Sequence, residues 1–242
     1  MGLMTQHEPL AAGFYTVNEA ARLIEVGNRR RIAAWLKGYT GRDAGPLLMG
    51  EFASGGGTSE LSFLDLIEVR FVEYLRARQV SARAIRRAII AARRLFGEPK
   101  PFASRRILTT HDGRNVFVEE ALRPAAQAER DHRLWDLITG QYEIVEIIER
   151  QIDRSLCFDP KTELANRWYP RRDAFPEVLI DPVIACGQPI VAGRVPTGTI
   201  RDLWRAEDGR TDIVASWFDI DIEDVTTAVA FEDYLDQPRD AG

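Results

Sequence analysis

The apolar positions of residues 14–39, FYTVNEAARLIEVGNRRRIAAWLKGY, repeat twice at helical spacing with a polar break between the two runs. Val17, Ala20, Ala21 and Ile24 fall at i, i+3, i+4 and i+7, which is one face of a helix, and Thr16 with Glu19 has the spacing of a capping box. Residues 25–28 hold the glycine and asparagine that a turn needs. Ile32, Trp35, Leu36 and Tyr39 then resume the period and predict a second helix. Its other face carries Arg30, Ala33, Ala34 and Lys37, with Arg29 and Arg31 at the amino end. Two short helices around a tight turn, with cations on the second, form the pattern of a helix-turn-helix, which places that amino end in the major groove of DNA. Arginine forks there suit guanine edges or phosphates.

The same reading along the chain predicts a mainly α protein with short β-hairpins, an α+β fold. Residues 45–61 alternate short apolar pairs with a triple glycine, the pattern of a β-hairpin wing. Gly55–Gly57 lacks the Gly-Lys-Ser/Thr of a phosphate loop. Ser62 with Asp65 caps a third helix to about Gln79, and Ser81 opens a fourth. In the fourth, Ile85, Ala88, Ile89, Ala92 and Phe96 share the apolar face, while Arg83, Arg86, Arg87, Arg93 and Arg94 line the other side. Residues 107–118 read as a hairpin turning at Asp112-Gly113. Glu119 to Arg133 reads as a linker or short helix. Ile144, Ile147, Ile148 and Ile152 predict a helix over 142–152. A second hairpin follows over SLCFD and LANRWYP, with Trp168 and Tyr169 as packing residues.

A short strand at 178–183 leads into the Gly- and Pro-rich run GQPIVAGRVPTGTI. Thr197 is positioned to cap the first of three helices, residues 213–218 form the second, and Asp221 with Asp224 begins the third. The pattern divides the chain into residues 1–100, a connecting region 101–175, and a carboxyl-terminal helical domain 176–242.

Charge sharpens this division. The net charge is -5, an apparent mismatch with nucleic acid, but residues 176–242 hold 5 arginines and 14 acids, so the first 175 residues are net +4. Residues 62–107 alone carry 11 basic and 4 acidic side chains. A basic amino-terminal half suits a polyanion, and an acidic carboxyl-terminal half argues against phosphate contact there. The candidate DNA contacts are therefore Arg29, Arg30, Arg31, Lys37, Arg42, Arg83, Arg86 and Arg87.

At 45% hydrophobic and 29% charged residues, the composition is that of a soluble globular protein. With no signal peptide, no membrane-length apolar run and only the isolated Cys157 and Cys186, a cytoplasmic protein with free thiols is expected. Three histidines, His7, His111 and His132, without further ligands at metal spacing give no metal site, and no nucleophile-base constellation marks an enzyme. No cofactor is expected.

FYTVNEAARLI, the arginine-rich helix, the wing and LSFLDLIEVRFVEYLRARQVSARAIRRAI together resemble the winged DNA-binding domain of MerR-type regulators. The match departs at Ala34-Trp35-Leu36-Lys37, where that family has Arg-x-Tyr-Glu-Arg. Residues 178–232, through Gly187-Gln188-Pro189 and Gly193-Arg194-Val195-Pro196-Thr197, are similar to a small domain-of-unknown-function family of predicted antitoxins. With Pro101-Phe102-Ala103-Ser104 and Arg167-Trp168-Tyr169-Pro170 between, nearly the whole chain resembles the long VapB-type antitoxins. That resemblance implies a PIN or PIN-like ribonuclease toxin as partner, encoded next to the chain, and repression of the shared promoter at operator DNA.

A homodimer is the expectation for a helix-turn-helix protein reading paired half-sites. For toxin contact the candidates are Arg194, Trp204, Trp217 and Phe218. The acidic domain is expected to cover a basic RNA-binding surface, or Arg194 to enter the toxin's metal-binding carboxylates, and deletion of residues 176–242 is expected to leave DNA binding intact. The competing expectation is a MerR-like regulator that responds to a small ligand, which the helix stop at Gly97-Glu98-Pro99 weakens.

Overall fold

In the computed structural model, which describes residues 13–38, 45–52, 60–105, 107–109, 116–119, 133–136, 142–144 and 155–237, helices at both ends of the chain flank two small sheets. The chain runs α1 (Val17–Leu23), α2 (Arg29–Lys37), α3 (Phe63–Ala77) and α4 (Ala82–Phe96). It continues through β1 (Ile107–Thr109), β2 (Val116–Glu119), β3 (Arg133–Asp136) and β4 (Tyr142–Ile144), then β5 (Leu156–Phe158), β6 (Ala165–Trp168), β7 (Leu179–Ile180) and β8 (Pro189–Ile190). Three helices close it: α5 (Thr197–Ala206), α6 (Thr211–Phe218) and α7 (Ile222–Leu235). Strands β1–β4 and β5–β8 form two antiparallel sheets, each in chain order. The class is α+β.

Local chemistry sets the helix starts. Thr16 and Glu19 form the capping box ahead of α1, Ser62 and Asp65 form another ahead of α3, and the Ser81 hydroxyl accepts from Ala84 N at α4. α4 buries Ile85, Ala88, Ile89 and Ala92 and ends at Gly97. The hairpin expected at 107–118 is present, with Ile107 opposite Val118, though its Asp112-Gly113 tip lies outside the described residues. Trp168 is fully buried, as a packing residue should be.

Three expectations need correction. Residues 142–144 are a strand, paired through Tyr142 with Trp135, so the helix expected over 142–152 does not begin there. Tyr142 and Ile144 also satisfy strand alternation, and the neighbouring strand decides in its favour; residues 145–152 lie outside the described residues. In the segment expected to be a wing, residues 45–52 form bends and turns rather than strands. Leu47 and Leu48 are buried there, and their amides donate to the Trp35 carbonyl at 2.7 and 3.0 Å, closing the end of α2. The triple-glycine stretch lies outside the described residues, as do residues 120–132; the end residues of the segment read as a linker or short helix, Glu119 and Arg133, belong to β2 and β3. Thr197 is the first residue of α5 rather than its cap. Its buried hydroxyl donates to Glu232 instead, and Pro196 precedes the helix.

The two ends of the chain share one continuous apolar core running from Tyr15 to Leu235. The segment before α1 is held on both sides. Tyr15 exchanges backbone hydrogen bonds with Leu61 at 2.8 and 2.9 Å, and the Phe14 amide donates to the Cys186 carbonyl at 2.9 Å. The Tyr15 hydroxyl donates to the Gly187 carbonyl at 2.7 Å, and burial, helped by Glu19 and Asp181, pushes that phenol far above its usual range. Gly187 is required at this contact: its φ is +83°, and a Cβ would lie 2.2 Å from the Tyr15 oxygen. The Gly- and Pro-rich run thus serves as a clamp on the amino-terminal helices.

α7 completes the joint. Arg22 of α1 reaches the Glu232 carboxylate at 2.7 Å and Asp236 at 2.8 Å. Arg201 of α5 joins the same pair of acids, and Thr197 donates to Glu232. Burial alone would lower the Arg22 pKa, but Glu232 and Asp236 outweigh it and hold it above its ordinary value. Glu25, at the end of α1, accepts from Tyr234 at 2.7 Å and pairs with Arg171 at 2.5 Å.

Candidate nucleic-acid interface

α2 is set by Asn28, whose side chain accepts from the Arg30 amide at 3.1 Å, and by Ile32 and Trp35, which are buried. This packing divides the cations that the sequence groups together. Arg31 turns inward: it meets Glu73 of α3 at 3.2 Å and lies 5.6 Å over the Trp35 ring. Arg29 and Arg30 are exposed at the amino end of the helix, Arg29 donating to Asn18 of α1 at 3.1 Å and Arg30 without a side-chain partner among the described residues. Lys37 is exposed at the other end, and Arg42 lies outside the described residues.

Beside Arg29 and Arg30 a groove of about 500 Å³ runs along the turn. Asn18, Arg22 and Asn28 line it, together with Leu235, the last residue of α7, and Gln237 just beyond it. The acidic carboxyl-terminal segment therefore borders the α1–α2 pair, contrary to the separation its charge suggests.

On α4, Arg83, Arg87, Ile90 and Arg94 fall at i, i+4, i+7 and i+11 and form an exposed stripe. Arg86 and Arg93 do not belong to it. Arg86 donates to the Gly45 and Pro46 carbonyls at 2.6 and 2.8 Å and pins the loop after α2 against α4. Arg93 donates to the Pro99 carbonyl at 3.1 Å.

Sequence reasoning missed a buried charge cluster beneath this face. Lys100, 5% exposed, donates to Asp65 and to the Met49 carbonyl and lies 3.8 Å from Glu68, which is fully buried. Asp65 also accepts from the Glu51 and Ser62 amides at 2.9 and 3.0 Å. One ammonium thus joins the loop after α2, the start of α3 and the segment after α4. Burial pushes the Glu68 carboxyl up to about 7 despite Lys100 and Arg93. The capping box revealed Asp65, but nothing in Gly97-Glu98-Pro99-Lys100 signals that the lysine points inward.

The four partner candidates also separate. Trp204 is half-buried, donating to the Thr211 hydroxyl at 3.2 Å with its ring on Gly209, and Phe218 packs on the core. Arg194 is exposed, at a φ of +63°. Trp217 is 71% exposed. Cys157 and Cys186 are both free thiols. Among the described residues no group of three or more His, Cys, Asp or Glu could hold a metal, and no helix is long and apolar enough to cross a membrane.

The fold has a solved counterpart. The X-ray crystal structure of Rv2018 from Mycobacterium tuberculosis superimposes with a TM-score of 0.57 over 89% of this chain and 96% of that one. The sequences are 22% identical, so the likeness is one of fold. No family model and no curated protein sequence matches the chain.

Proposed function

We propose that the chain is the antitoxin of a type II toxin-antitoxin pair, which binds operator DNA through a MerR-like helix-turn-helix and neutralises a PIN or PIN-like ribonuclease by direct contact. The observation that carries the DNA half is the pair of exposed arginines, Arg29 and Arg30, at the amino end of α2, while Arg31 is tied to Glu73 and Arg86 to the Gly45 and Pro46 carbonyls. Helix-turn-helix proteins present that end to base edges. Arg83, Arg87 and Arg94 on the α4 stripe supply cations for phosphates, and a dimer would double the site. The toxin half is supported by the VapB-type resemblance of the sequence and by the -9 charge of residues 176–242, which suits the basic surface of an RNA-binding enzyme.

Co-expression with the product of the adjacent reading frame tests the partner: a stable complex and relief of growth arrest are expected, and neither appearing would overturn the reading. Operator binding has its own test. With about four to six phosphates neutralised, log K falls with log salt at a slope of roughly -4 to -5. Replacing Arg30→Ala costs about 1–3 kcal/mol and relaxes base preference at one position if it reads a guanine. A flat salt response would remove DNA from the proposal.

A further inference from the structure

Two large apolar side chains stand in solvent five positions apart in the carboxyl-terminal helices. Trp217, near the end of α6, is 71% exposed, and Ile222, the first residue of α7, is 56% exposed. The other faces of these helices are used internally: Val214, Val225, Ala228 and Phe231 are fully buried. A solvent-facing indole is uncommon in a folded protein and is a frequent anchor in protein interfaces.

The turn between the helices holds the pair outward. Asp219 ends α6 in the left-handed region, at a φ of +53°, and Ile220 turns inward against Gly193. A Cβ on Gly193 would lie 2.7 Å from the Ile220 Cγ2, and its φ is +71°, so only glycine admits this contact. The turn is seated on the 192–194 loop, and Trp217 and Ile222 flank it.

The surroundings are strongly acidic. Residues 207–224 contain seven acids and one arginine, and that arginine, Arg210, is paired with Glu207 at 2.8 Å. Phosphate-bearing surfaces are repelled here, and so is the same face of a second copy. α7 has 14 residues and is about 20 Å long. Its carboxyl end meets Arg22 of the helix-turn-helix, so the exposed pair lies at the end remote from the DNA-binding arginines.

We propose that Trp217 and Ile222 form the apolar centre of a docking face for a cation-rich protein surface, with the indole entering a pocket on the partner and the surrounding acids meeting its lysines and arginines. The proposal rests on the antitoxin reading, in which that partner is the toxin, and it assigns toxin contact to the α6–α7 turn.

The test uses the full chain and, as probe, the product of the adjacent reading frame, titrated against wild type, Trp217→Ser, Trp217→Phe and Ile222→Thr. We expect Trp217→Ser to weaken the complex about 30-fold or more, Trp217→Phe to recover much of that loss, and Ile222→Thr to fall between. Operator affinity should stay within about twofold in every variant, which also reports that the chain is folded. Equal affinity of Trp217→Ser and wild type for the probe overturns the docking face while leaving the antitoxin reading intact. Failure of wild type itself to bind the probe overturns both. Concentration-dependent self-association of wild type that Trp217→Ser abolishes also overturns the proposal, since the occupant would then be a second copy.

Discussion

At Glu68 the cost of burial outweighs two nearby cations. Its carboxyl is withdrawn from solvent, and Lys100 is shared with Asp65, so burial pushes the acid up to about 7 from 4.5. The folded state therefore binds this proton more tightly than the unfolded state does. The stabilisation is fully present below about pH 4.5 and is lost as pH rises through 7. Between about pH 5 and pH 8 it amounts to roughly 2–3 kcal/mol. Glu68→Gln, neutral at every pH, should remove that dependence. In urea unfolding, the stability of wild type minus that of the Glu68→Gln variant should fall by about this amount from pH 5 to pH 8. A constant difference would show that Glu68 is ionised throughout. At the same scale, Arg29 and Arg31 are two positions apart in sequence, yet one is exposed beside Asn18 and the other packs on Trp35 and Glu73. Helical geometry separates them by about 200°, and only the position of α3 decides which faces inward.

At the scale of elements, α1 is held by more than its own cap. It has seven residues, too few to persist alone, and Arg22 fastens it to α7 through Glu232 and Asp236. Glu232 is 3% exposed and is served by Arg22, Arg201 and Thr197. Removing one member of a buried ion network leaves the others uncompensated, at a cost of about 3–5 kcal/mol. Glu232→Ala should therefore lower the thermal midpoint of the whole chain and speed amide exchange in α1 as well as α7. Faster exchange in α7 alone would mean that α1 does not depend on the clasp. The Thr16/Glu19 box was enough to identify α1, and the glycines and prolines of 187–197 identified an ordered turn. The contact between them was invisible in the sequence because its partners lie more than 170 positions apart.

For the whole molecule, the shared core makes residues 176–242 part of the amino-terminal fold. Their removal strips Val178, Ile180 and Val191 from the core and takes away the partners of Phe14, Tyr15 and Arg22. The shared core therefore argues against the expectation that a truncated chain keeps the proposed DNA binding. A chain of residues 1–175 should lack a cooperative thermal transition and should bind operator DNA at least about tenfold more weakly than the full chain. Unchanged melting and affinity in the truncated chain would show that the joint is dispensable.

Most helices, most of their starts, two of the three expected hairpins and the uneven charge were legible in the chain alone, because caps, turns and apolar periodicity act over a few residues. Long-range packing settled the rest. It chose strand over helix at 142–144, turned Arg31, Arg86 and Lys100 into internal partners, and left Trp217 outside while Trp204 and Phe218 went in. These are choices between positions of similar local propensity, and the energy that makes them comes from which distant side chains occupy the space around each one.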